Sequence, residues 1–185
     1  MPWKNGQGTT TEIAAMPQGA GLDAFAWRIS VADVGASGPF SCFPGVERVI
    51  VQTEGEPMAL VHEGRGRRRL ALLRPHRFSG DEATSGEVSG PVRDFNVMAR
   101  RGRVRASVAV HELASGSRIR VLAAGEAHIV YAFRGGLSVA AGATGEVWSL
   151  SAGDTWQMTG DADDDTSFEI SAGPSAAVAF VVDLG

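Results

Sequence analysis

Phe25-Ala26-Trp27-Arg28-Ile29-Ser30-Val31 places an apolar side chain at every second position. Successive side chains of a β-strand point to opposite faces. Phe25, Trp27, Ile29 and Val31 therefore share one face, and Arg28 and Ser30 share the other. Comparable strand segments are 47–53, 57–62, 69–73 and 92–98 in the first half of the chain. The second half offers 104–113, 118–122, 128–133, 137–140, 146–150, 155–158, 167–171 and 177–183. Gly, Pro, Asp or Ser separates most of them, as turns require. No stretch keeps a helical period, and 86–91 reads as a loop. With 24 Gly and 8 Pro marking many turns, the expected fold is all-β, a sandwich or a barrel.

A weak internal repeat orders these segments. In the first half, Arg48-Val49-Ile50-Val51-Gln52 leads to a glycine turn at Gly55, then to Leu60-Val61, Leu70 to Leu73, and Gly80-Asp81. In the second, the segment 128–133 leads to Gly135-Gly136, then to Leu137-Ser138-Val139, a strand ending at Leu150, and Gly153-Asp154. This order resembles the cupin superfamily, a double-stranded β-helix or jelly roll. The expectation is two cupin-like halves, 1–102 and 103–185, in one compact chain, with the break near Arg101-Gly102-Arg103.

Composition excludes several classes. The chain has 185 residues, 44% of them hydrophobic, enough for a proper core. Its formal net charge of −4 argues against nucleic acid or an anionic membrane as partner. The cluster Arg65-Gly66-Arg67-Arg68-Arg69 reads as a solvated hairpin tip. Asp161-Ala162-Asp163-Asp164-Asp165 lacks the glycine and distal glutamate of an EF-hand loop. The single cysteine, Cys42, rules out an intramolecular disulfide and reads as a small buried thiol. That usage, with no signal sequence or membrane-spanning run, points to the cytoplasm.

The four histidines, His62, His76, His111 and His128, are far apart in sequence, so no metal and no cofactor is expected. Polar groups gather instead in segments that also hold aromatics. Residues 2–13 combine Lys4, Asn5, Gly6, Gly8, Thr9, Thr10, Thr11 and Glu12, and read either as a polar turn before a strand or as a pocket wall. In a strand starting at Asp94, residues Asp94, Asn96 and Met98 share a face. That face, like the Arg28 and Ser30 face, is either a solvent face, the commoner case, or the lining of a barrel.

The segments PWKNGQGTTTEI, FAWRISVADV, GPFSCFPGVERVIV, RFSGD and DFNVMARRG resemble the HutD/Ves family in order and spacing over roughly the first hundred residues. Gln7 stands where the family's motif reads glycine. The chain opens directly on the motif, so a native start upstream of Met1 is expected. The resemblance implies a bicupin encoded with histidine-utilisation enzymes. It further implies a small-ligand binder that tunes that pathway, with urocanate, formate or formylglutamate as the kind of ligand. A carboxylated ligand needs cations and neutral donors. Lys4, Arg28 and Arg48 are the candidate cations, and Asn5, Thr9, Thr10, Ser30 and Asn96 the candidate donors. Glu12, Asp81 and Asp94 could accept from an imidazole or formamide group, and Trp27, Phe40 and Phe43 could supply apolar walls. The alternatives are a metal-independent isomerase or hydrolase using Lys4, Glu12, Asp81 or Asp94, and an interaction module. Exposed strand edges also invite a homodimer.

Overall fold

The computed structural model describes every residue except 4, 5, 7, 124, 142–144 and 161–166. Its described residues form seventeen strands and no helix, in two units, Met1–Arg105 and Ala106–Gly185.

The first unit holds β1 (Gly8–Met16), β2 (Trp27–Val34), β3 (Gly38–Pro39), β4 (Val46–Gly55) and β5 (Ala59–His62). It continues with β6 (Gly66–Arg69), β7 (His76–Ser79), β8 (Thr84–Glu87) and β9 (Val92–Arg100). They make two antiparallel sheets, ordered β1-β2-β9-β4-β7 and β3-β8-β5-β6. The second unit holds β10 (Ala106–Leu113), β11 (Arg118–Leu122), β12 (Ala127–Arg134) and β13 (Leu137–Ala141). After these come β14 (Val147–Leu150), β15 (Thr155–Thr159), β16 (Ser167–Ala172) and β17 (Ala177–Leu184). Their order is β10-β17-β12-β15 and β11-β16-β13-β14. Leaving out β1, the two units have one topology, the jelly-roll order in which the chain passes between paired sheets.

Two glycines show the repeat in atomic detail. Gly55 ends β4 with φ of 91°, and Gly135 follows β12 with φ of 75°. A Cβ on Gly55 would stand 2.3 Å from the Pro91 carbonyl oxygen, and one on Gly135 would stand 2.5 Å from that of Ala176. In both units the glycine lets the turn pass beneath the start of the last strand. Gly55→Ala and Gly135→Ala are each expected to cost about 2 kcal/mol or more, from left-handed strain plus a backbone clash. Gly21→Ala, where a Cβ meets nothing, should change stability by under about 0.5 kcal/mol. Urea-denaturation midpoints measure all three.

Several local expectations are corrected. The stretch 8–16 is a strand, not a turn; its threonines are β-branched and pair with β2 in register from Gly8–Val34 to Glu12–Ser30. The arginine cluster is not a hairpin tip but largely the strand β6, exposed throughout at a sheet edge. Charge on an edge strand discourages further pairing. Residues 70–73, expected as a strand, leave the ladder: Leu70 is buried, and Leu73 turns with φ of 58°. Gly86 and Glu87, expected in a loop, belong to β8, where a Cβ on Gly86 would press on the Phe40 ring at 3.0 Å. Cys42 is exposed rather than buried, with Sγ 3.2 Å from the Gly80 carbonyl oxygen. The Asp161 to Asp165 loop and Gln7 lie outside the described residues. No helix among the described residues is long and apolar enough to cross a membrane.

Candidate functional site

Register determines which side chains of the first unit meet. On one face of the five-stranded sheet, Thr10, Ala32, Asp94 and Gln52 form a row across β1, β2, β9 and β4. The next row is Glu12, Ser30, Asn96 and Ile50. A third is Arg28, Met98, Arg48 and Phe78, ending on β7. The polar face of β2 and β9 is therefore not a solvent face. Arg28 is 6% exposed, Arg48 7% and Asp94 1%. The opposite face, with Trp27, Ile29, Val49, Phe95 and Val97, is buried and apolar.

From these rows Thr10, Ala32, Asp94, Ser30, Asn96, Arg28, Met98 and Arg48 line a cavity of about 550 Å³ within the first unit. Phe40, Ser41 and Phe43, from the segment before β4, close one side, and Trp3 and Leu22 contribute from elsewhere in the unit. The Arg48 guanidinium lies over three rings, 5.3 Å from the centre of Phe40, 5.7 Å from Phe43 and 4.9 Å from Phe78. Each face is attractive to a desolvated cation. Arg28 is held by Glu12, with Nε 2.7 Å from Oε2, and its Nη1 lies 3.5 Å from Ser30 Oγ. Trp3 donates its indole N–H to Thr10 Oγ1 at 2.7 Å.

Burial dominates the electrostatics. It pushes Asp94 up to about 7, against the pull of Arg48 and a hydrogen bond from Asn96. It also brings Arg48 down to about 10, against the pull of Asp94. Their mutual attraction thus recovers only part of the loss of water. The site is a partly open cavity with two buried cations, one buried carboxyl group whose pKa is brought near neutrality, and neutral donors.

The cavity gathers Thr10, Arg28, Ser30, Phe40, Phe43, Arg48, Asp94 and Asn96, with Glu12 touching it through Arg28. It does not gather Thr9, which points to the other face of β1, with Oγ1 3.4 Å from Asp33 Oδ2. Asp81 is elsewhere too. Its carboxylate is brought down to about 2, chiefly by the Gly45 N–H at 2.8 Å, then by Arg101 and Ser79. It ties two turns together. Lys4 and Asn5 lie outside the described residues. Trp27 is buried on the face opposite Arg28. Trp3 and Leu22 join the cavity from irregular segments, where strand periodicity gives no warning.

Among the described residues, no three His, Cys, Asp or Glu side chains are placed to hold a metal ion. His62 and His76 do approach, with ring centres 5.8 Å apart, and His62 Nδ1 lies 3.0 Å from Thr84 Oγ1. Burial, then His62, then Arg68 hold the His76 pKa below its ordinary 6.5. The folded state binds this proton less tightly than the unfolded chain, so the associated stability is present above about pH 6.5 and lost as pH falls below it. His76→Gln should therefore lose less of its urea midpoint than the parent between pH 7.5 and pH 5.

The second unit carries the same strands but a different interior. Counted from the bulges at Gln52/Glu54 and Ala132/Arg134, Asp94 corresponds to Ala179 and Asn96 to Val181. Ala179, Val181, Val130 and Ala132 pack with Trp156 and Phe168 into an apolar core.

Solved structures place this architecture. A cupin 2 conserved barrel domain protein from Leptotrichia buccalis superposes with a TM-score of 0.60 at 9% identity, over 100% of this chain and 92% of that one. The chain thus has the cupin fold, with a cavity lined by buried polar side chains in its first unit. The HutD family model matches residues 1–178, and the chain belongs to the HutD family. HutD from Pseudomonas fluorescens SBW25, solved in a formate condition, is 32% identical with a TM-score of 0.78, covering 100% of this chain and 93% of that one. A conserved protein of unknown function from Pseudomonas aeruginosa PAO1 is 31% identical with a TM-score of 0.86, over 100% and 92% of the two chains. An uncharacterized 21.2 kDa protein in the hutC 3′ region of Pseudomonas putida is 43% identical over 107 residues. That match covers 57% of this chain and 56% of the relative, a little over half of its length.

Proposed function

We propose that the first-unit cavity binds a small carboxylated metabolite and that the protein regulates histidine utilisation through that ligand. Membership of the HutD family and the hutC-adjacent relative support the link to histidine utilisation. The observation that supports the ligand class is the pair of buried arginines, Arg28 and Arg48, facing one chamber with Ser30 and Thr10. Buried guanidinium groups recognise carboxylates by charge-assisted hydrogen bonds. Formate, the smallest carboxylate, is a natural probe, since the Pseudomonas fluorescens HutD structure comes from a formate condition. Titration calorimetry with urocanate, formate, formylglutamate and histidine tests the reading. Saturable binding of at least one carboxylate, with Kd below about 1 mM, is expected. No heat with any of them, from folded protein, removes the carboxylate assignment.

One observation favours a second reading, a metal-independent isomerase or hydrolase. Asp94 is enclosed and has its pKa pushed to about 7, where a carboxyl group can both give and take a proton. Proton NMR of each candidate incubated with the protein separates the two: turnover supports the enzyme, and unchanged ligand supports the regulator.

A further inference from the structure

The edge strand β6 is built mostly from arginine. Arg65, Arg67, Arg68 and Arg69 stand within five residues of a chain whose net charge is −4. β6 ends the sheet β3-β8-β5-β6, so one of its sides has no neighbouring strand, and all of its residues are exposed. Its register against β5 shows which backbone groups that side offers. Gly66, Arg67, Arg68 and Arg69 stand opposite His62, Val61, Leu60 and Ala59. Just beyond the strand, the Leu70 N–H donates to the Met58 carbonyl oxygen at 2.9 Å. Hydrogen-bonded pairs alternate along an antiparallel ladder, so Arg68 exchanges its backbone bonds with Leu60. The N–H and C=O groups of Arg67 and Arg69 therefore point outward. Their side chains share one face of the sheet, and Arg68 takes the other, the face of the buried Leu60.

A row of like charges decides what can join such an edge. A second copy of β6 laid antiparallel sets arginine against arginine, which is destabilising. A strand with carboxylates at alternate positions sets one opposite Arg67 and one opposite Arg69. Glu87, on the same face, already makes this contact, with Oε2 2.6 Å from Arg67 Nε. Arg68 and Arg69 have no ion pair among the described residues. We propose that β6 is a docking edge for an extended acidic segment of a partner protein. The segment adds to the sheet as a further strand, with Asp or Glu opposite Arg67 and Arg69. No β6 residue lines the cavity, so this surface stands apart from the ligand reading. The edge is only four residues long, so the contact is small, reversible and weakened by salt.

Synthetic peptides and the full chain test the inference by amide NMR at low salt. The probe is acetyl-Thr-Glu-Val-Glu-Val-Glu-Thr-amide, and its counterpart carries Lys in place of each Glu. The acidic peptide should bind with Kd below about 1 mM, and the basic one at least about 10-fold more weakly. Register sharpens the test. A Glu opposite Arg67 or Arg69 turns its own N–H toward β6, whereas the Val amides face away. N-methylation of the Glu amides should abolish binding, and N-methylation of the Val amides should leave Kd within about threefold. In the free protein the Arg68 amide should exchange slowly and those of Arg67 and Arg69 fast; the acidic peptide should slow the latter two. Arg67→Glu with Arg69→Glu, both at exposed positions, should exchange the preference and bind the basic peptide. No binding of the acidic peptide, or equal binding with either methylation pattern, overturns strand addition. Binding of a single-stranded oligonucleotide as tightly as the peptide makes the patch a general polyanion surface and overturns the proposal. So does a dimer of the unaltered protein that the double variant abolishes, since that gives the edge to a second copy.

Discussion

Arg48→Met is expected to lose carboxylate binding by about 100-fold or more while leaving the protein as stable as before, or more so. A charge-assisted contact to a buried anion is worth about 2–4 kcal/mol, which sets the affinity loss. Stability moves the other way because Arg48 is held inside at a cost. Loss of water brings its pKa down to about 10 despite the nearby Asp94. Methionine fills much the same volume among Phe40, Phe43 and Phe78, and sulfur packs well against rings. Replacing a whole buried ion pair by apolar groups of similar size leaves stability unchanged or raises it by about 1–4 kcal/mol, and removing one member alone costs stability only where the other stays charged. Asp94, left without its cation, is then protonated and neutral at pH 7. Calorimetry against the carboxylate that binds the parent, with a thermal melt of the same sample, checks both halves. A variant with parental affinity removes Arg48 from the ligand site.

The second large effect is a stability that declines as pH rises through neutrality, unusual for a carboxyl group. Asp94 has a folded pKa of about 7 against 3.8 in the ordinary case. The folded state therefore binds this proton more tightly than the unfolded chain. Its contribution is complete below about pH 4 and is lost as pH climbs through 7. At about 1.4 kcal/mol per unit, the full difference amounts to about 4 kcal/mol. Asp94→Asn holds the neutral state at every pH. Its unfolding free energy should match the parent within about 1 kcal/mol at pH 4 and exceed it by about 4 kcal/mol at pH 8.5. Urea titrations at the two pH values measure this. Parallel pH profiles for parent and variant would show that the Asp94 carboxyl group is not held neutral by burial.

The alternation at Phe25 to Val31 and at Asp94 to Met98 made the strands, and the sharing of faces, readable directly from the chain. It did not reveal which face is enclosed. That depends on three strands aligning Arg28, Met98 and Arg48 in one row, a long-range pairing that no single segment encodes. Solvent and chamber faces are both polar, so hydropathy has the same sign for each. The segment containing β1 was ambiguous for a related reason: threonine serves turns and strands alike, and β2 decides between them. Thr9 and Thr10 are neighbours with the same side chain, yet only Thr10 reaches the cavity, because β1 is extended. Asp81 looked like a ligand group from its company with Ser79 and Gly80. Instead it meets the Gly45 N–H and Arg101 across the fold, partners far from it in sequence. The glycine turns were legible because the steric demand at Gly55 and Gly135 falls on the residue itself.

The two units set opposite selection rules on equivalent positions. If the proposed ligand site is right, selection for a ligand retains at Asp94 and Asn96 groups that the fold does not need, whereas at Ala179 and Val181 selection for packing excludes those same groups. A deep mutational scan should then record mirror-image tolerance at these sites: apolar substitutions deplete the function of one unit, and polar substitutions deplete the abundance of the other. A profile that averages the two halves as one repeat would cancel the contrast between these columns. Homologues of this family are better compared half against corresponding half, with divergence between the halves serving as a map of the chamber.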